Sequence, residues 1–266
     1  MPLQPMTPAN ATVPENTRTA PVQEIFSSIQ GEAQCIGQRQ VFVRFAHCHL
    51  HCAYCDTPMH TPDGRCHVET VPGSGTTRAE DNPLSAEALL SLIQPLLQTA
   101  PHHSVSLTGG EPLLYHALLA DLLPRLQPLC PVYLETSGTQ PDFLTPLLSH
   151  IDWIAMDVKL PSTTGEAPQW EAHQAFYALA QSQLKPPQLF IKCIVSDATT
   201  TEELEHLKAI VTHPATPVYL QPETTLDGSL AVKATPATLL TLQAHLAQTF
   251  HEVRVVPQSH KMLRVL

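Results

Sequence analysis

Three of the chain's seven cysteines crowd into one short run, Cys48-His-Leu-His-Cys52-Ala-Tyr-Cys55. At C-x3-C-x2-C spacing, three thiolates can wrap one corner of an iron–sulfur cube and bind three of its irons. The fourth iron is then open to a ligand from outside the protein. Soft thiolates suit zinc as well. Structural zinc, however, is closed by four ligands, usually as paired C-x2-C or Cys/His units, and no second C-x2-C exists here. His47, His49 and His51 share the loop and could supply a fourth ligand. The spacing favours iron–sulfur and leaves zinc as the alternative. Cys35, Cys66, Cys130 and Cys193 stand in no motif; Cys130 and Cys193 read as small buried apolar residues.

A second run, Thr108-Gly109-Gly110-Glu111-Pro112, follows the apolar stretch ending at Leu107. Glycines there let the backbone approach a ligand closely, and Glu111 offers an acceptor for an ammonium. By itself this run is only a strand–turn–helix with Pro112 opening the helix. Arg44, just ahead of the cysteines, can form a bidentate pair with a carboxylate. Thr57, just behind them, offers a hard oxygen that suits Mg²⁺ rather than a cluster; it is otherwise an ordinary loop hydroxyl.

These residues need a scaffold, and the pattern beyond Val41 supplies one. Apolar, β-branched runs predict strands at Val41–Ala46, Ser104–Thr108, Val132–Glu135, Trp153–Asp157, Leu189–Val195, Val218–Gln221 and Val253–Val256. Helical patterns fall between them at Ala86–Thr99, Leu113–Leu123, Asp142–Leu148, Trp170–Gln181, Thr201–Val211 and Pro236–Gln248. Ser85, Thr200 and Thr235 read as N-caps, and Thr200 with Glu203 as a capping box. Repeated strand–helix units predict an α/β fold with a parallel sheet, either doubly wound or closed into a full or partial barrel. Polar or glycine-rich punctuation follows nearly every strand, which favours a barrel whose chemistry sits at the carboxyl ends of its strands. Residues 58–83 lack periodicity and carry several turn signals, so they read as a long inserted loop.

Composition narrows the partners. The 266-residue chain has a formal net charge of −10, and a pI near 5.8. Nucleic acid is not an expected partner, because phosphate-backbone binding needs a basic patch. No apolar run reaches the length of about 18 residues that spans a bilayer, so no membrane is expected. The N-terminal stretch lacks the charged and apolar regions of a signal peptide; its Pro, Thr and Asn content predicts a disordered lead-in over residues 1–21. A cysteine cluster without a secretory signal points to metal binding in a reducing cytoplasm.

Together the cysteine run and the GGEP segment resemble the radical S-adenosylmethionine (SAM) superfamily. In that superfamily the three cysteines bind a [4Fe–4S] cluster, the open iron chelates the amino and carboxylate groups of SAM, and the GGE segment holds the amino group. Three further segments narrow the likeness: Glu24-Ile-Phe-Ser-Ser-Ile29-Gln30-Gly31-Glu32, Cys55-Asp56-Thr57 and the tail Pro257-Gln-Ser-His260-Lys261 through Leu266. With Val43-Arg44 they resemble the 7-carboxy-7-deazaguanine synthases of queuosine and 7-deazapurine biosynthesis. The likeness runs from about Val22 onward, with 58–83 excepted.

The resemblance implies a modified, incomplete (β/α) TIM-like barrel over residues 22–266. It implies a carbon–nitrogen lyase that turns 6-carboxy-5,6,7,8-tetrahydropterin into 7-carboxy-7-deazaguanine and ammonia. SAM would be reductively cleaved to a 5′-deoxyadenosyl radical by an electron from a flavodoxin- or ferredoxin-type donor, with Mg²⁺ assisting. A homodimer is expected. Carried over residue by residue, Cys48, Cys52 and Cys55 hold the cluster and Thr57 the Mg²⁺. Ile29, Gln30, Gly31, Glu32, Arg44, Thr108 and His260 fall at substrate positions, and Leu266 through its terminal carboxylate. Tyr54, Cys55, Asp56, Gly109, Gly110, Glu111, Ser137, Asp157, Lys159, Gln221 and Thr224 fall at SAM positions. The family usually has Gly-Cys-Asn at its first cysteine, where this chain has His47-Cys48-His49. Two alternatives remain open. One is another radical SAM enzyme, such as a glycyl-radical activase, which acts on a protein and would not need Gln30, Arg44 and His260. The other is a zinc-binding interaction module without catalysis.

Overall fold

The computed structural model describes residues 17–57, 63–183, 186–227 and 229–265. The order of elements begins with β1 (Thr19–Ala20), β2 (Val22–Ile29) and β3 (Arg39–Phe45), then β4 (Arg65–Glu69), β5 (Thr77–Asp81) and β6 (Leu84–Ser85). Strand–helix alternation follows: α1 (Ala86–Leu97), β7 (Ser104–Gly109), α2 (His116–Leu126), β8 (Val132–Thr136), α3 (Pro141–Leu144) and β9 (Trp153–Asp157). The chain closes with α4 (Pro161–Thr164), α5 (Trp170–Gln181), β10 (Gln188–Val195), α6 (Thr201–Ile210), β11 (Val218–Pro222), α7 (Pro236–Leu246), β12 (Val253–Val255) and α8 (Ser259–Leu263).

Among the described residues, one sheet runs in the order β12-β11-β10-β9-β8-β7-β3-β2-β4-β5. From β3 to β12 every neighbour is parallel. Its end strands do not pair with each other, so the barrel is open, as the resemblance implies. The parallel strands are legible as near-continuous apolar runs because helices cover their outer face. Along β10 the side chains alternate. Leu189, Ile191, Cys193 and Val195 join the core shared with the helices, while Phe190 points the other way. Phe190 packs there with Ala33, Cys35, Tyr133, Ala155 and Tyr219, and this small cluster plugs the interior. One inward step further along the same strands stand Glu135, Asp157, Lys192 and Gln221. The interior thus changes from apolar to charged towards the carboxyl ends of the strands.

Helix starts follow local chemistry. The side chains of Ser85, Thr200 and Thr235 each accept a backbone N–H of the following turn, and Thr200 with Glu203 completes the capping box. The expected helix at Leu113–Leu123 divides into a 3-10 turn, Pro112–Tyr115, and α2. The one expected at Asp142–Leu148 shortens to α3 with a separate 3-10 turn at Leu148–His150.

Two expectations are corrected. The 58–83 stretch is not a plain loop; residues 58–62 lie outside the described residues, but β4 and β5 form an antiparallel hairpin that adds to the sheet through β2. The PGSG turn signal is real: Thr70 N–H donates to Thr76 O at 2.9 Å, and Gly73 and Gly75 take positive φ. The strands beside it stay hidden because Thr77–Asp81 carries almost no apolar residue. The lead-in expected over residues 1–21 contains β1, which pairs with β6 and so ties the chain to the start of α1; residues 1–16 lie outside the described residues. No helix among the described residues is long and apolar enough to cross a membrane.

Candidate active site

The cysteine run leaves β3 at its carboxyl end and is clamped from three sides. Glu111 N–H donates to His47 O (2.9 Å), Ala53 N–H to Thr164 O (2.8 Å) and His51 N–H to the Glu166 carboxylate (2.6 Å). Cys55 N–H closes a turn on Cys52 O. His47 takes φ +64, the left-handed conformation that favours glycine. That geometry explains why the family pattern has glycine there. His49 puts Nε2 on Thr139 Oγ1 at 2.7 Å.

Cys48, Cys52 and Cys55 face a cavity of about 100 Å³, whose other walls include Gly109, Gly110, Ser137, Asp157 and Lys159. Among the described residues, no three His, Cys, Asp or Glu side chains converge closely enough to hold a single ion. A mononuclear zinc site needs such convergence, whereas a cube takes each thiolate on a different iron. Burial, reinforced by Glu111, pushes the Cys48 thiol up to about 12, and burial also raises Cys52. Iron would supply the charge that draws these thiols to thiolates. The residues present therefore fit a [4Fe–4S] cluster.

The GGEP segment packs closely on the cysteine loop, and Gly109 and Gly110 line the cysteine cavity. Gly109 takes φ +103, and a Cβ at Gly110 would lie 1.7 Å from His47 O. The glycines are required by close approach to the β3–cysteine-loop backbone. Glu111 is fully buried. Its Oε1 accepts from Leu113 N–H (3.1 Å) and Thr136 Oγ1 (2.9 Å), and its Oε2 from Ser137 N–H (2.8 Å) and Ser137 Oγ (2.6 Å). A carboxylate has about four acceptor sites, and protein donors fill them. Glu111 thus braces the GGEP turn against the Thr136–Thr139 loop.

A larger cleft of about 640 Å³ adjoins the cysteine cavity, sharing Tyr54, Cys55, Thr57, Gly109, Asp157 and Lys159 with it. It is lined by most of the residues singled out by sequence: Ile29, Gln30, Gly31, Glu32, Arg44, Asp56, Gln221, Thr224 and His260. Thr108 does not line it; its hydroxyl donates to Glu135 Oε2 at 2.9 Å, and Glu135 lines the cysteine cavity. Leu266 lies outside the described residues, but Arg264 and Val265 line the cleft.

The cleft is electrostatically ordered. Lys159 Nζ meets Asp157 Oδ2 at 2.8 Å and donates to Tyr54 OH at 3.2 Å. Burial works against the Lys159 charge, but Asp157 outweighs it and holds the ammonium well above its usual value. Glu32 is paired with Lys192, and its Oε1 accepts from Gln258 Nε2 at 2.8 Å. Burial disfavours this carboxylate too, yet Lys192 lowers it to about 2. Gln30 is absorbed into the floor, donating to Gln40 and Glu135 and accepting Glu32 N–H. Arg44 Nε donates to Glu24 at 2.6 Å, and its guanidinium lies over the Phe26 ring. Burial lowers His260, against an opposing pull from Glu32, so its ring is neutral at neutral pH.

Two buried acceptors on residues lining this space are under-satisfied. Among the described residues Gln221 Oε1 has no hydrogen-bond partner, and Asp157 Oδ1 meets only the Lys192 ammonium, 3.3 Å away. Such atoms are costly unless a ligand satisfies them. The ammonium and ribose hydroxyls of SAM are donors of the right kind, so the residues fit that cofactor too.

Sequence reasoning missed Glu135, Lys192 and Gln258. Lys192 left a signal, a charged residue inside the apolar run Leu189–Val195; Glu135 left a weaker one at the end of Val132–Glu135.

The radical SAM superfamily pattern matches residues 42–176. A 7-carboxy-7-deazaguanine synthase of Geobacter sulfurreducens is 39% identical over 248 residues, covering 92% of this chain and 97% of that protein. The corresponding synthase of Archaeoglobus fulgidus is 33% identical over 246 residues, covering 91% and 97%. Among solved structures, QueE from Escherichia coli superposes with a TM-score of 0.55 at 22% identity, covering 90% of this chain and 94% of that one. That likeness shows the same fold.

Proposed function

Because the chain belongs to the 7-carboxy-7-deazaguanine synthase family of the radical SAM superfamily, we propose that it performs that family's ring contraction. The substrate is 6-carboxy-5,6,7,8-tetrahydropterin, and the products are 7-carboxy-7-deazaguanine and ammonia. The observation that carries this reading is a pair of adjoining spaces. A three-cysteine cavity shares walls with a cleft that presents both an arginine and an ionised carboxylate.

When bound, the cluster and SAM supply the radical that removes hydrogen from C6 of the pterin. The protein's own residues bind, orient and exclude water. Cys48, Cys52 and Cys55 hold the cluster, and Thr57, which lines both spaces, offers its oxygen to Mg²⁺. Asp157, Gln221 and Lys159 receive SAM. Arg44 grips the substrate carboxylate, held in orientation by Glu24. Glu32 accepts from the amino–pyrimidine edge, with neutral His260 beside it. The same resemblance supports a homodimer, a flavodoxin- or ferredoxin-type electron donor and a cytoplasmic location.

The deciding experiment is anaerobic turnover of reconstituted protein with the pterin, SAM and a strong reductant. Formation of 7-carboxy-7-deazaguanine and 5′-deoxyadenosine is expected, and absence of the deazaguanine with active SAM cleavage would reject the substrate. In the same assay Arg44→Lys keeps the charge but loses the planar fork. Its kcat/KM for the pterin is expected to fall by roughly 10- to 100-fold, the worth of a charge-assisted hydrogen bond of about 1.5–3 kcal/mol. SAM affinity should hold. Unchanged kcat/KM would remove Arg44 from the clamp.

A further inference from the structure

Lys192 is 8% exposed in the middle of β10, and its ammonium serves two carboxylates. One is Glu32; the other is Asp157, whose Oδ1 lies 3.3 Å away. These belong to different parts of the cleft. Asp157 is held independently, through Oδ2, by Lys159. Among the described residues Glu32 is held only by Lys192 on Oε2 and Gln258 on Oε1. A buried ion pair is a poor source of stability compared with apolar packing, so the presence of a lysine in this strand calls for another reason.

We propose that Lys192 is a positioning residue for the substrate, aiming the Glu32 carboxylate so that its remaining lone pairs meet the two N–H donors of the amino–pyrimidine edge. The proposal rests on the ring-contraction reading. Its geometry is countable. A carboxylate offers about four acceptor sites; Lys192 and Gln258 take one on each oxygen, and one on each remains. That leaves a two-pronged acceptor, the complement of an adjacent amino group and ring N–H. Without Lys192 the side chain of Glu32 is tethered at one oxygen and free to turn.

The test is anaerobic calorimetric titration of reconstituted protein with 6-carboxytetrahydropterin and, separately, with SAM. Lys192→Met is expected to weaken the pterin on the order of 100-fold, as a misplaced two-pronged contact should. SAM should change by no more than about threefold, because Lys159 still holds Asp157. Lys192→Arg should recover most of the pterin affinity. Lys192→Met strands Glu32 as an unpaired buried charge, so the double variant K192M/E32Q, which removes both charges, keeps the test independent of folding. It should still bind the pterin poorly. The proposal is overturned if Lys192→Met binds the pterin like wild type, if the double variant regains wild-type affinity, or if pterin and SAM weaken together. Wild-type protein that turns over no pterin would instead remove the ring-contraction reading, and this proposal with it.

Discussion

Replacing Cys48, Cys52 or Cys55 singly with alanine is expected to reduce SAM cleavage to the uncatalysed background and to leave the protein colourless after anaerobic reconstitution. The expected loss is total because each thiolate serves a separate iron, and two cannot hold a cube in a defined orientation. The fold should survive. The loop is anchored by the backbone contacts of His47, Ala53 and Cys55 and by His51 N–H on Glu166, none of which uses a cysteine sulfur. Thermal melting of the cluster-free variants should therefore match that of cluster-free wild type. Cys66 and Cys193 provide the internal control. Both are fully buried in the core shared with the helices, so their alanine variants should keep the cluster and its charge-transfer absorption, at some cost in stability. Iron content settles the matter. A Cys52→Ala protein that still binds four irons and cleaves SAM would overturn the cluster assignment.

The cysteine run was legible in the sequence because its three thiols fall within eight residues, although spacing alone left zinc open and only the GGEP segment beside it pointed to a cluster. The barrel was readable for a related reason. A parallel strand covered on its outer face is written as an apolar run, and Trp153–Asp157 and Trp170–Gln181 have the bounds their patterns predict. The hairpin of β4 and β5 was not readable. At the edge of the sheet, Thr77–Asp81 needs no buried face, so nothing in its side chains marks it. Direction was also hidden. Sequence identifies Glu111 as an acceptor, but the fold turns it onto Thr136 and Ser137. The partner of Glu32 lies 160 residues away on β10, and no local pattern pairs it with Lys192. Local propensity fixes elements, whereas the wiring of a buried charged site depends on which strands become neighbours.

Gly31→Ala is expected to lower pterin turnover about 100-fold while leaving the cluster and substrate-independent SAM cleavage intact. The argument begins with β12, whose parallel pairing to β11 carries the chain to the cleft mouth. There Ser259 N–H donates to Gly31 O at 2.8 Å, and Ser259 Oγ to the same oxygen at 3.1 Å. Lys261 bridges Asp56 and Thr224, and Gln258 reaches Glu32. The tail segment is therefore a wall of the cleft, seated against a residue without a side chain. A Cβ at Gly31 would lie 2.3 Å from His260 Nδ1 and 2.5 Å from His260 N. Because a backbone atom is among those struck, no change of rotamer relieves the clash, and the whole segment must shift. A displacement of about 1 Å at a positioning element can cost roughly 100-fold in rate. His260→Ala, by contrast, removes one donor and leaves the segment in place, so its effect should be smaller than that of Gly31→Ala. The cysteine loop is anchored elsewhere, on Glu111, Thr164 and Glu166, which is why SAM cleavage should persist. Paired assays of both variants at equal iron content, reading 5′-deoxyadenosine and deazaguanine together, test the ordering. If Gly31→Ala forms product as fast as wild type, the tail is not part of the site; if His260→Ala proves the more damaging, the imidazole rather than the seating of the segment is what the substrate requires.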